Sequence, residues 1–154
     1  MITAYYSSVL DQPVKTVWSL IRDFNNYPAY IDGVSESMIE DDKRGDEVGA
    51  VRRFNYGGNW IKQRLVRHSD DQRLLSYAGL DRFAFPSGQI ANPPSPAGYE
   101  GTMHVQRIVD GERTFIAWSV DIDTEPGEEE PWLTLFQSWI PEWTDSLRRT
   151  LARQ

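Results

Sequence analysis

Seven short segments of alternating apolar and polar residues, followed by one long apolar stripe at helical period, leave this chain few ways to fold. ITAYYSSVL (2–10), VSESMIE (34–40), EVGAVRRFNY (47–56), NWIKQRLVRH (59–68), RLLSYAGL (73–80), YEGTMHVQRIV (99–109) and RTFIAWSVDI (113–122) all read as strands. Between the later ones stand turn signals about every 12 residues, among them Gly57-Gly58 and Asp110-Gly111. That spacing is the signature of an antiparallel meander. In 114–122, Ile116, Trp118, Val120 and Ile122 share a face opposite Ala117, Ser119 and Asp121, so one side of the sheet must be covered.

Only one long helix is available to cover it. In PWLTLFQSWIPEWTDSLRRTLARQ (131–154), Trp132, Phe136, Trp139, Ile140, Trp143, Leu147 and Leu151 fall on one stripe. Pro131 suits its first turn, whereas Pro141 predicts a kink or a break near residue 140. Two shorter helical pieces follow the first strand. Val14, Val17, Trp18 and Ile21 give the first an apolar face, with Asp11 as its cap and Pro13 in its first turn. Pro28 opens the second, PAYI, and Gly33 ends it.

The expected class is therefore α+β, with residues 1–154 as a single domain. A curved antiparallel sheet of about seven strands wraps around the long C-terminal helix, with two short helices after the first strand. One helix beneath so wide a sheet leaves room for a lined cavity. The nearest rival is an NTF2-like cone, whose helices cluster at the N-terminus.

Composition excludes several chemistries. With no Cys, thiol nucleophiles, thiolate metal sites and disulfides are all absent. A net charge of −7 argues against nucleic acid, since a phosphate binder needs a basic footprint. The N-terminus lacks a basic, apolar leader, and no stretch approaches the ~18 apolar residues of a membrane span. The expectation is a cytoplasmic protein without stable membrane insertion, either monomer or homodimer. His68 and His104, the only imidazoles, have no clustered carboxylate at ligand spacing, so neither metal nor cofactor is expected. No phosphate-binding loop or G-x-S-x-G elbow occurs.

In their order, VWSLIRDFNNYPAYI (17–31), VGAVRRF (48–54), IKQRLVRHSDDQRLLSY (61–77), YEGTMHVQRI (99–108) and TFIAWSV (114–120) resemble the START-like, or Bet v 1-like (SRPBCC), superfamily. The similarity is greatest to its bacterial polyketide cyclase/dehydrase branch. The resemblance implies a helix-grip fold whose apolar cavity lies between sheet and last helix. It implies binding of lipids, sterols, hormones, quinones or polyketides, and in some members cyclisation or dehydration of a polyketide. The chain departs from the typical pattern at DRFAFPSGQIANPPSPAG (81–98), a long inter-strand loop. Loops of this length are uncommon unless functional or disordered. We read it as a semi-rigid lid, with Phe83 and Phe85 dipping toward the cavity mouth.

Alternation places Ala50, Arg52 and Phe54 on one face, which we assign to the interior. A buried Arg52 needs a partner, and Glu40 or Asp121 could supply it. The guanidinium would then bond a ligand carbonyl or carboxylate; the alternative is an arginine on the convex face. Tyr77 and Tyr99 can present phenols, and Met103 and Trp118 complete the sheet side of the cavity. Trp132, Phe136, Trp139 and Trp143 form the helix side, and Tyr27 and Tyr30 are possible rim contacts. Three functions stay open: a carrier or sensor of a small hydrophobic molecule (lipid, polyketide or aromatic metabolite), a polyketide cyclase/dehydratase using the cavity as a template, or a partner-binding accessory protein. Arg52, Tyr77 and His104 are the catalytic candidates for the second. The acidic stretch 121–130 would serve the third.

Overall fold

The computed structural model describes residues 1–154. Seven strands form one antiparallel sheet: β1 (Ile2–Leu10), β2 (Val34–Ile39), β3 (Val51–Tyr56), β4 (Asn59–Ser69), β5 (Leu74–Gly79), β6 (Gly98–Ile108) and β7 (Arg113–Asp123). Their spatial order is β1-β7-β6-β5-β4-β3-β2, a six-strand meander closed by the first strand. The helices are α1 (Val14–Ile21), α2 (Tyr27–Tyr30), preceded by a 3-10 turn at Phe24–Asn26, and α3 (Glu129–Ala152). This is the helix-grip architecture, with a curved sheet around the long last helix. No helix is long and apolar enough to cross a membrane.

Local chemistry explains the elements. β7 is buried at every second residue from Thr114 to Ile122, as its alternation requires. Gly57 and Gly58 both adopt positive φ, at 58° and 89°, in the tight β3–β4 turn. Register shifts in β2 between Val34 and Glu36, and in β4 between Leu65 and Arg67, interrupt the ladders. Such irregularities increase local twist and let a sheet bend. β3 starts later than its sequence suggests because Gly49, at φ 98°, takes the backbone out of the extended region.

Two helix expectations are corrected. Pro13, not Asp11, is the N-cap of α1, and no side chain caps that end. The Thr16 and Val17 amides are satisfied by the Pro13 carbonyl instead. Of the kink or break expected near residue 140, the break is absent, and α3 runs continuously through Pro141. A proline there leaves the Gln137 carbonyl without its helical donor; Gln137 is exposed, so water can serve it. Ile140, Leu147 and Leu151 are buried on either side, and their packing keeps the two halves on one stripe.

Polar ties fix α3 against the N-terminal elements. The Ser146 hydroxyl donates to the Tyr30 carbonyl at 2.6 Å and accepts from the Asp32 amide at 2.9 Å. Arg148 reaches β1, donating to the Val9 carbonyl and the Ser8 hydroxyl at 2.7 Å each. The helix is thereby held at its C-terminal half, and its aromatic N-terminal half faces the open part of the sheet.

Candidate functional site

The concave sheet face and α3 enclose an apolar cavity, lined by fifteen residues of which only Gln63 is not hydrophobic. β3, β4, β5, β6 and β7 contribute Phe54, Gln63, Tyr77, Tyr99 and Trp118. From α3 come Phe136, Trp139 and Trp143, and Phe83 closes one side from the β5–β6 loop. As it stands the cavity holds about 50 Å³, because these rings fill most of the space beneath the sheet. Small-molecule sites commonly span roughly 300–1,000 Å³, so a ligand must displace rings to enter. Tyr56, Phe83, Tyr99, Trp139 and Trp143, all half-buried, form the mouth.

Its polar groups make a directed set. Arg52 is fully buried on β3, with its guanidinium carbon 3.8 Å from the Tyr27 ring centroid and 4.4 Å from that of Phe24. Phe54 and Tyr77 stand 5.1 Å away. Four aromatic faces thus take part of the charge, as cation–π geometry allows. Arg52 Nε donates to Gln63 Oε1 at 3.0 Å, Nη2 donates to the same oxygen, and Nη1 has no partner. Arginine has no acceptor, so the Gln63 atom facing it must be the oxygen. Gln63 Nε2 consequently points to Tyr99 and donates to its hydroxyl at 2.8 Å. Trp118 Nε1 donates to the Tyr77 hydroxyl at 3.0 Å, and Trp143 Nε1 to that of Tyr56 at 3.0 Å.

Burial holds these phenols protonated. It pushes Tyr99 up to about 12, against the partial relief of the Gln63 bond, and raises Tyr77 well above its ordinary value. Tyr56 is raised as well, for the same first cause.

Two glycines make room for two of the phenols. The tripeptides Tyr77-Ala78-Gly79 on β5 and Tyr99-Glu100-Gly101 on β6 run antiparallel, with Tyr77 paired to Gly101. A β-carbon at Gly101 would sit 2.3 Å from the Tyr77 ring, and one at Gly79 would sit 2.5 Å from that of Tyr99. Each phenol occupies the side-chain space that the opposite strand leaves empty.

A family model described as "Polyketide cyclase / dehydrase and lipid transport" matches residues 1–153. The chain belongs to this family. No curated protein matches it in sequence. Among solved structures, a protein from Nitrosospira multiformis is 22% identical, with a TM-score of 0.75 over 99% of this chain and 100% of that one. A START superfamily protein from Mycobacterium smegmatis is 12% identical (TM-score 0.72, 99% of each chain). The di-domain aromatase/cyclase BexL of the BE-7585A biosynthetic pathway is 14% identical (TM-score 0.76), with 99% of this chain matching 47% of that one. At these identities the similarity establishes a common fold.

Within this member of the polyketide cyclase/dehydrase and lipid transport family, eight of the twelve residues expected at the cavity border it: Phe54, Tyr77, Phe83, Tyr99, Trp118, Phe136, Trp139 and Trp143. Arg52 is interior but stands behind Gln63 and the tyrosines, outside the lining. Met103 and Trp132 are core, and Phe85 packs on Trp132 with centroids 5.1 Å apart. His104 is corrected outright as a catalytic candidate. It alternates with the buried Met103 and Val105 on β6, so it faces away from the cavity. His68 lies near α1, 3.3 Å from Asp70.

The acid expected beside Arg52 is also absent. Glu40 pairs with Arg53 and Lys62 at 3.6 and 3.4 Å, and Asp121 accepts from Thr3 on the outward side of β7. Sequence reasoning passed over Gln63, Tyr56, Ile31, Val34, Ile61 and Val120 in the lining. The repeated Tyr-x-Gly on neighbouring strands was the available signal for the floor; nothing local marks Gln63.

The 81–98 loop is pinned at its base. Phe83 and Ala97 exchange two backbone bonds, at 2.7 and 3.0 Å. Arg82 donates to the Pro96 and Asp123 carbonyls at 3.1 Å each, and Trp132 Nε1 donates to the Ser95 carbonyl at 3.1 Å. The Ser95 amide meets Glu128 at 2.9 Å. Phe83 is held at the mouth among Tyr99, Trp132 and Trp139, each about 6.1 Å away between centroids.

Proposed function

We propose that the protein binds a small hydrophobic molecule, such as a lipid, polyketide or aromatic metabolite, between the sheet and α3 as a carrier or sensor. The observation supporting this reading is the cavity itself: fourteen hydrophobic residues and one amide, reached through half-buried rings. Family membership points the same way. In its closed form the cavity is nearly filled, which suits a site that opens around its ligand. Loss of the ring–ring contacts at the mouth is offset by apolar surface that the ligand itself buries.

The test is mass spectrometry of the purified protein under native conditions, followed by thermal melts with apolar probes. A co-purifying small molecule, or a rise in Tm with an aromatic probe, is the expected outcome. No bound molecule and no shift with any apolar probe would overturn the reading.

A second reading is favoured by one specific feature, the protonated phenols of Tyr77 and Tyr99 on an apolar wall with Arg52 behind them. A polyketone folded against that wall could bring an enol carbon to a carbonyl, with proximity supplying most of the acceleration. Developing oxyanion charge would fall on the phenols. Unchanged turnover of a polyketone in Tyr77→Phe/Tyr99→Phe would remove it.

A further inference from the structure

Each hydrogen-bond chain in the cavity wall begins at a group that can only donate, Arg52, Trp118 or Trp143. Arg52 has no acceptor atom, which forces Gln63 to present its oxygen inward and its amide N–H groups outward. Tyr99 must therefore accept from Gln63, with its lone pair engaged at 2.8 Å. An indole N–H is likewise donor only, so Tyr77 must accept from Trp118, and Tyr56 at the mouth from Trp143. The Tyr99 and Tyr56 hydroxyls make no hydrogen bond to a protein acceptor, whereas the neighbouring Tyr27 hydroxyl competes for the hydrogen of Tyr77. Behind the set stands one guanidinium without a carboxylate and with Nη1 unpartnered. That uncompensated charge polarises the Gln63–Tyr99 chain toward donation into the cavity.

Resting on the reading of the cavity as a small-molecule site, we propose that it selects ligands by an oxygen acceptor. The class is an apolar, ring-bearing molecule with a ketone, quinone, enolate or phenolate oxygen, received by the hydroxyl of Tyr99, with the Tyr77 hydroxyl beside it shared between the ligand and Tyr27. A ligand offering only donors leaves the Tyr99 hydroxyl hydrogen unanswered in an apolar surround and competes with Gln63 for the same oxygen. A cationic ligand also meets the Arg52 charge.

Three compounds of one carbon skeleton separate these cases: tetralin (no polar group), 1-tetralone (acceptor only) and 1-aminotetralin (a protonated donor). Isothermal titration of the wild-type protein is expected to rank 1-tetralone about tenfold tighter than tetralin, the gain of one good hydrogen bond, and 1-aminotetralin weakest. Tyr77→Phe/Tyr99→Phe is expected to bring the ratio of 1-tetralone to tetralin affinity, read within the same variant, from about tenfold to about one. Phenylalanine keeps both rings over their glycines, and a far-ultraviolet spectrum and Tm check the fold. The wild-type ranking tests the inference without any variant. Equal binding of tetralin and 1-tetralone overturns the acceptor rule and leaves the cavity function standing. A preference that survives in the double variant overturns the assignment to these tyrosines. Binding of none of the three overturns both the rule and the reading on which it rests.

Discussion

Tyr77 and Gly101 face each other across β5 and β6, and the glycine cannot gain a side chain without moving the Tyr77 ring. The Tyr77 ring cannot retreat cheaply, because Trp118 holds its hydroxyl and Tyr27, Phe54 and Trp118 wall the same space. Gly101→Ala is therefore expected to cost about 1–3 kcal/mol by overpacking. Urea unfolding measures it, and in a Tyr77→Ala background the same substitution should cost far less. Equal costs in both backgrounds would mean that the glycine is needed for some other reason.

Arg52 and Gln63 should behave as a unit. Gln63→Leu alone removes the only hydrogen-bond acceptor of a buried charge and is expected to cost roughly 1.5–3 kcal/mol. Arg52→Met/Gln63→Leu removes the charge as well, and replacing buried charge by apolar side chains is often neutral or stabilising by about 1–4 kcal/mol. The double variant should match or exceed the wild type in chemical denaturation. A double variant weaker than the single would sink this account.

Stability should fall in alkali through the buried phenols. An unfolded tyrosine ionises near pH ~10, whereas burial keeps Tyr99 protonated to about 12 and Tyr77 protonated well above its ordinary value. The contribution is complete below pH ~10 and is lost as pH rises from there through the folded values, because the unfolded chain releases its protons first. Tm measured at about pH 9 and 10.5 should drop more in the wild type than in Tyr99→Phe.

Acid acts at the opposite end of the molecule. Arg22 first, and then the Trp18 indole, hold the Asp70 carboxyl well below the usual carboxylate range, through bonds of 3.0 and 2.8 Å. The bonds tie α1 to the β4–β5 turn. A lowered folded value stabilises above the unfolded carboxylate value of about 3.9, and that stability is lost as pH falls below it. Asp70→Asn should lower the urea midpoint at neutral pH and flatten its decline below pH ~4. An undiminished acid slope in the variant would show that other carboxylates carry it.

Phe83 is the ring most open to test as a gate. It is half-buried, so Phe83→Ala should cost less than the roughly 3–5 kcal/mol of a fully buried Phe. Removing it opens the mouth between Tyr99 and Trp139. Stopped-flow mixing with an environment-sensitive apolar dye should show faster association, with the 81–98 loop still pinned by Arg82 and Ser95. Unchanged association would place the entry elsewhere.

The local pattern alone determined the order of elements and the face of each residue on a strand. A period of two is carried by successive residues, so Ile116, Trp118, Val120 and Ile122 declare one face without reference to any partner. The same logic put Arg52 inside with Ala50 and Phe54, and applied to β6 it would have put His104 outside with Thr102. Which residues meet was beyond its reach. Arg52 found Gln63 rather than Glu40 or Asp121 because β3–β4 register sets those two opposite one another and sends both acids outward. The two Tyr-x-Gly tripeptides interlock only once β5 and β6 align. The size of the cavity was a tertiary outcome too. The stripe on α3 says that aromatic rings face the sheet, but only side-chain packing decides how much space they leave, and here they leave little.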